Sequence, residues 1–132
     1  MEQAAPSVRS FESIEKVDDF CRELDWPLEY RQLQPGSFSS TFTEIEGDDW
    51  FLMEEHNLLT VEVSASAVAD KYMLAVVEGT PVKVNGQMLD SGHVFLQSPK
   101  SDFLATLPAD TRITQTGISA ELFERAAESI AR

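Results

Sequence analysis

The stretch Val82-Lys83-Val84-Asn85-Gly86-Gln87-Met88-Leu89 decides how the middle of this chain is read. Both central positions of a type I′ turn require positive φ, and Asn85-Gly86 is the residue pair that adopts it most readily. The pair closes a hairpin between Val82–Val84 and Met88-Leu89. A hairpin here fixes the local period at two residues, and the neighbouring sequence continues in that period.

Towards the N-terminus, turn-bounded strands fit Leu28 to Leu33, Phe38 to Glu46, Trp50 to Asn57, Leu58 to Ser64, Tyr72 to Glu78 and Pro81 to Val84, with turns at Pro35-Gly36 and Gly47-Asp48. Towards the C-terminus, strands fit His93 to Leu96, Asp102 to Leu107 and Arg112 to Thr116. Many short strands with no helix between them indicate a closed or sandwiched antiparallel sheet rather than βαβ units.

The period changes at both ends of this region. Ser13 is placed to cap a short helix, with Glu15 in its first turn and Ile14, Val17, Phe20, Cys21 and Leu24 on one apolar face, and Pro27 breaks it. Ser119 is placed to cap a final helix over residues 119–132, with Glu121 in its first turn and Ile118, Leu122, Phe123, Ala126 and Ile130 as its apolar stripe. Residues 1–10, with Pro6 and no periodicity, read as a loose N-terminal tail. Residues 1–132 thus form a single domain: helix, barrel, helix.

Charge narrows the function. The 132 residues carry 23 Asp and Glu against 10 Lys and Arg, a formal net charge of −13 at pH 7. Such a surface repels phosphate backbones and anionic lipids, so nucleic-acid binding by this chain alone is not expected. The longest apolar run, Met73 to Val77, is too short to span a bilayer, and Met1 to Ser10 has no export-signal pattern. One cysteine, Cys21, cannot form an internal disulfide, which fits a reducing compartment. These features indicate a cytoplasmic protein.

Catalytic patterns are missing. There is no Gly-x-Ser-x-Gly elbow and no Gly-rich phosphate loop, and Cys21 falls on a helix face that should be buried. The acidic run Glu44, Glu46, Asp48 and Asp49 lacks the alternating ligands of a calcium loop. No catalytic residue, metal site or cofactor is expected. The aromatic strand says more. Trp50, Leu52, Glu54 and His56 alternate onto one face, which runs from apolar to polar. That face suits a pocket for a small, partly polar ligand, with Phe42 on the preceding strand as a further wall. The competing assignment is plain barrel core with a polar strand end.

The order of these pieces resembles a known family. Phe11-Glu12-Ser13 leading into a short helix, then Leu28-Glu29-Tyr30-Arg31-Gln32-Leu33-Gln34-Pro35-Gly36-Ser37-Phe38, is similar to the start of the cupin-like N-terminal domain of AraC family transcriptional regulators. The Val82–Leu89 hairpin followed by Gly92 to Leu96 and Pro99 resembles their mid-domain hairpin, and Ile118-Ser119-Ala120-Glu121-Leu122-Phe123 their exit helix. The resemblance implies a mainly β, cupin-like (RmlC-type) antiparallel barrel or jelly roll with a short N-terminal and a C-terminal helix. It also implies an effector-sensing or dimerisation role, with a small-molecule effector, a homodimer and no catalytic residues to carry over. Where the barrel core does not consume them, Leu122, Phe123, Ala126 and Ile130 of the final helix's apolar stripe form a ready dimer contact. The family's DNA-binding half, two helix-turn-helix units, has no counterpart in this sequence.

The alternative is a small stand-alone cupin enzyme, an isomerase or a metal-dependent oxygenase. Metal-binding cupins place two histidines alternately on one strand, whereas this chain has no His-x-His and only His56 and His93. Glu54, Glu55 and His56 with His93 form the one mixed set that could serve.

Overall fold

The computed structural model describes residues 5–23, 28–65, 70–99 and 101–131. Eleven strands and two helices follow one another as β1 (Ser7–Phe11), α1 (Ile14–Glu23), β2 (Leu28–Gln32), β3 (Ser40–Glu46), β4 (Trp50–Asn57), β5 (Val61–Ala65), β6 (Lys71–Glu78), β7 (Val82–Val84), β8 (Gln87–Leu89), β9 (Val94–Gln97), β10 (Phe103–Leu107), β11 (Thr111–Ser119) and α2 (Ala120–Ala131). They build a six-stranded sheet, β1-β3-β4-β11-β6-β9, and a five-stranded sheet, β2-β5-β10-β7-β8. Every pairing is antiparallel. The expectation of a mainly β, cupin-like jelly roll with a helix near each end holds.

The decisive hairpin forms as the sequence requires. Asn85 has φ 49° and Gly86 φ 82°, and Val82 pairs with Leu89 and Val84 with Gln87. Both helix caps also form: Ser13 Oγ accepts the Lys16 N–H at 3.3 Å, and Ser119 Oγ accepts the Leu122 N–H at 3.2 Å. The expected helix end at Leu24 and the break at Pro27 lie outside the described residues.

One expectation is corrected. Within the tail read as loose, Ser7 to Ser10 belong to β1, which pairs with β3 from Ser7↔Glu44 to Phe11↔Ser40. Its side chains are exposed except for half-buried Phe11, so no apolar alternation marked it. Backbone pairing and the Phe11 ring hold it: Phe11 lies 5.6 Å edge-on to Phe42 and 5.4 Å from Phe20.

α1 packs against β1 and β2, the edge strands of the two sheets, and buries Val17, Phe20 and Cys21. That helix covers one seam of the sandwich. The opposite edges are β9 and β8. Between the sheets lies the core, from Phe42, Met53, Met73 and Val77 on one side to Leu28, Val61, Val63, Val82 and Leu107 on the other.

Candidate functional site

Alternation along β4 places Trp50, Leu52, Glu54 and His56 on one face, as the sequence indicated, but that face is the outer one. Trp50 is 43% and Leu52 41% exposed, Glu54 is exposed and His56 half-buried, while Met53, Glu55 and Asn57 point inward and are buried. These four residues therefore do not line an interior pocket. The reason is that Trp50-Phe51-Leu52-Met53 is apolar on both faces, so hydropathy alone could not choose between them. Register decides: fully buried Phe42 pairs with Glu55, carrying Glu55 and its alternates inside.

The outer residues have surface partners. Arg112 Nη1 donates to Glu54 Oε1 at 3.2 Å, and His56 Nε2 lies 2.5 Å from Asp110 Oδ1. Phe42 does face inward, yet it packs with Phe11, Phe20 and Tyr30 and belongs to the core under α1 rather than to a cavity wall.

A cavity of about 50 Å³ lies between the sheets. Its apolar walls include Met73, Ala75, Val77, Phe95 and Ile113 from the larger sheet and Leu28, Val63, Val82, Val84 and Leu107 from the smaller one. One water needs roughly 10–15 Å³ of such space, so the cavity suits a molecule of a few non-hydrogen atoms. Tyr30, Glu55, Gln97 and Gln115 supply its polar lining.

Glu55 is the centre of that lining and is 2% exposed. Its Oε1 accepts the Tyr30 hydroxyl at 2.7 Å and Gln115 Nε2 at 3.1 Å, and its Oε2 accepts Asn57 Nδ2 at 2.7 Å. Asn57 is oriented by Ser40, whose Oγ donates to Asn57 Oδ1 at 2.8 Å. Burial pushes the Glu55 carboxyl above the usual carboxylate range, and the bonds from Asn57, Tyr30 and Gln115 pull it back. Burial and the Glu55 charge hold the Tyr30 hydroxyl well above its ordinary range, so it stays protonated and donates. All three donors are neutral, and no Lys, Arg or His lines the cavity among the described residues.

Gln97, 1% exposed, lines the cavity from β9. Its Nε2 donates to the Ser101 carbonyl at 2.6 Å, which fixes which end of the amide is which. Its Oε1 is then the one buried side-chain polar atom without a hydrogen-bond partner among the described residues. The sequence reading did not place Tyr30, Gln97 or Gln115 in a site, and considered Glu55 only within the mixed metal set. The available signal was a carboxylate and two amides at alternating positions of otherwise apolar strand faces.

The mixed metal set is not brought together. Glu55 points away from Glu54 and His56, and His93 Nδ1 lies 2.7 Å from Asp90 Oδ1 in its own turn. Among the described residues, no three His, Cys, Asp or Glu side chains cluster as metal ligands.

α2 stands largely clear of the sandwich. Phe123 stacks on Tyr72 at 4.1 Å, whereas Ala126 is exposed, Leu122 is 37% exposed and Ile130 85%. The outer face of the larger sheet adds exposed Trp50, Leu52, Val76, Val94 and Leu96, and cross-strand pairing sets Val76 beside Val94 and Leu74 beside Leu96. No described helix is long and apolar enough to cross a membrane.

No family model and no curated protein matches the sequence. Solved structures do match the fold. The AraC-like transcriptional activator CuxR aligns over 92% of this chain and 51% of its own, with 13% identity and a TM-score of 0.70. A predicted oxalate decarboxylase from Thermotoga maritima aligns over 73% of this chain and 95% of its own, with 8% identity and a TM-score of 0.50. The chain thus spans about half the length of the activator, and at these identities the likeness is one of fold.

Proposed function

We propose that this domain is a regulatory module, the effector-sensing and self-associating part of an AraC-type transcriptional regulator acting in the cytoplasm, with no catalytic step of its own. The observation that carries this reading is the cavity between the sheets, apolar in its walls and provided with a buried carboxylate that no cation among the described residues neutralises. A buried charge of this kind is costly to stability alone and becomes useful when a ligand completes it. The fold likeness to a transcriptional activator supports the regulatory role.

The route out of the cavity supports it too. Ile113 and Gln115 line the cavity on β11, and the same strand runs directly into α2. Reordering of β11 around a ligand therefore bears on the helix that carries Leu122, Phe123, Ala126 and Ile130, the surface we assign to contact with a second copy. The −13 charge keeps this chain off DNA, so a DNA response belongs to a longer protein that includes it.

Methyl-resolved NMR during a screen of small cationic, neutral and anionic fragments tests the proposal. Ligands of this domain should shift the methyl signals of Met73, Val77 and Val84. If hits shift only outer residues such as Leu52 and Val94, the cavity is not the sensing site.

A further inference from the structure

The polar lining of the cavity selects by charge. Glu55 brings a carboxylate whose three partners are neutral donors, and its Oε2 accepts only the Asn57 amide. A carboxylate offers about four acceptor positions, so Glu55 retains capacity for one more donor. Gln97 Oε1 adds a buried acceptor with no donor among the described residues. No cationic side chain lines the cavity among the described residues. An anionic ligand would set a second carboxylate against Glu55, and a purely apolar one would leave the Gln97 oxygen unanswered.

We propose that the cavity takes a small primary amine, its ammonium group against Glu55 and its short alkyl body among Val77, Val84 and Leu107. This rests on the sensing role given above and adds the ligand class. An ammonium supplies the missing positive charge and three donors in one compact group. A pair formed in a water-poor site is also worth more than one at the surface. A body of a few carbons matches the space of about 50 Å³ between the sheets.

The test uses three probes of equal chain length, n-propylamine, 1-propanol and propionate, titrated into the whole chain at neutral pH and followed through the methyls of Met73, Val77 and Val84. Propylamine should shift these methyls saturably. Propanol should bind about tenfold more weakly, the factor separating a charge-assisted from a neutral hydrogen bond, and propionate should leave them unmoved. Glu55→Gln should bring propylamine down to the level of propanol. Equal binding of amine and alcohol, preferred binding of propionate, or a retained amine preference in Glu55→Gln would overturn the amine assignment while leaving the cavity as a sensing site. Failure of all three probes to move the cavity methyls overturns both. Should Glu55→Gln not fold, the ranking on the unaltered chain still decides.

Discussion

The Tyr30 hydroxyl donates to Glu55 Oε1 at 2.7 Å, and this bond joins the two sheets through side chains. Tyr30 lies on β2 and Glu55 on β4, edge and interior strands of different sheets, so the pair sets a polar tie within a mostly apolar core. Its ring continues the aromatic cluster, 6.4 Å from Phe42. Tyr30 thus serves packing and polarity together, and the two roles separate on mutation.

Tyr30→Phe keeps the ring and removes the donor. Leaving a buried carboxylate short of one partner costs about 1–3 kcal/mol, more than the mean net worth of a hydrogen bond. Urea denaturation should show that loss with an unchanged m-value, since the surface exposed on unfolding is the same. The Glu55 pKa should rise further, because one of the bonds that hold it down is gone. A variant as stable as the parent would show that Glu55 does not depend on Tyr30.

Acid should stabilise this protein where it weakens many others. The Glu55 carboxyl has a raised pKa in the folded state, so between its unfolded and folded values the native state binds more protons than the unfolded chain. Stability contributed by Glu55 is therefore present below the unfolded value, falls as pH rises through that window, and levels off above the folded value. General repulsion in a chain of charge −13 acts in the same direction, so the diagnostic quantity is the difference from Glu55→Gln. The urea midpoint measured against pH should fall less steeply in the variant. Parallel curves would mean that Glu55 titrates alike in both states.

Much of the fold was legible in the sequence because local chemistry dictated it. Asn85-Gly86, Ser13 and Ser119 each act through their own backbone neighbourhood, and each appears where its chemistry requires. The site was less legible because it depends on which way a strand faces. Residues Trp50 to Met53 are apolar on both faces, and only the pairing with β3 and β11 turns Glu55 inward and Trp50 outward. β1 was missed for a related reason: an edge strand with exposed side chains leaves no hydropathy pattern, and its partner β3 is distant in sequence.

The corrected orientation of β4 makes a measurable difference. As a core residue, Trp50 would cost about 3–5 kcal/mol on truncation to Ala. As an exposed residue whose indole lies over Gly47, it should cost less than about 1 kcal/mol. Chemical denaturation of Trp50→Ala distinguishes the two values directly.

Gly117 makes the opposite kind of case. It lies within β11 opposite Phe51, and a Cβ there would overlap the Phe51 ring. Gly117→Ala should therefore destabilise the protein by about 1–3 kcal/mol through overpacking, despite the better strand propensity of alanine. Phe51→Leu should recover part of the loss in the double variant by vacating the space, and strict additivity of the two changes would rule out this contact as the cause.

Self-association through α2 should respond to salt in a direction that identifies its cause. Two copies of a chain of charge −13 repel, and added salt screens that repulsion while leaving apolar contact in place. The apolar residues offered are Leu122, 37% exposed near the start of α2, and Ile130, 85% exposed near its end. Ile130 has little surface buried within the described fold, so Ile130→Glu should leave thermal stability of the monomer unchanged while adding a charge to the contact. Sedimentation velocity of the parent chain should show a dimer whose share grows as salt is raised. The share should drop sharply in Ile130→Glu and be restored by Ile130→Leu, which keeps the apolar surface. A dimer that persists in Ile130→Glu but is lost in Leu52→Glu would move the contact from α2 to the outer face of the larger sheet, where Leu52 is 41% exposed.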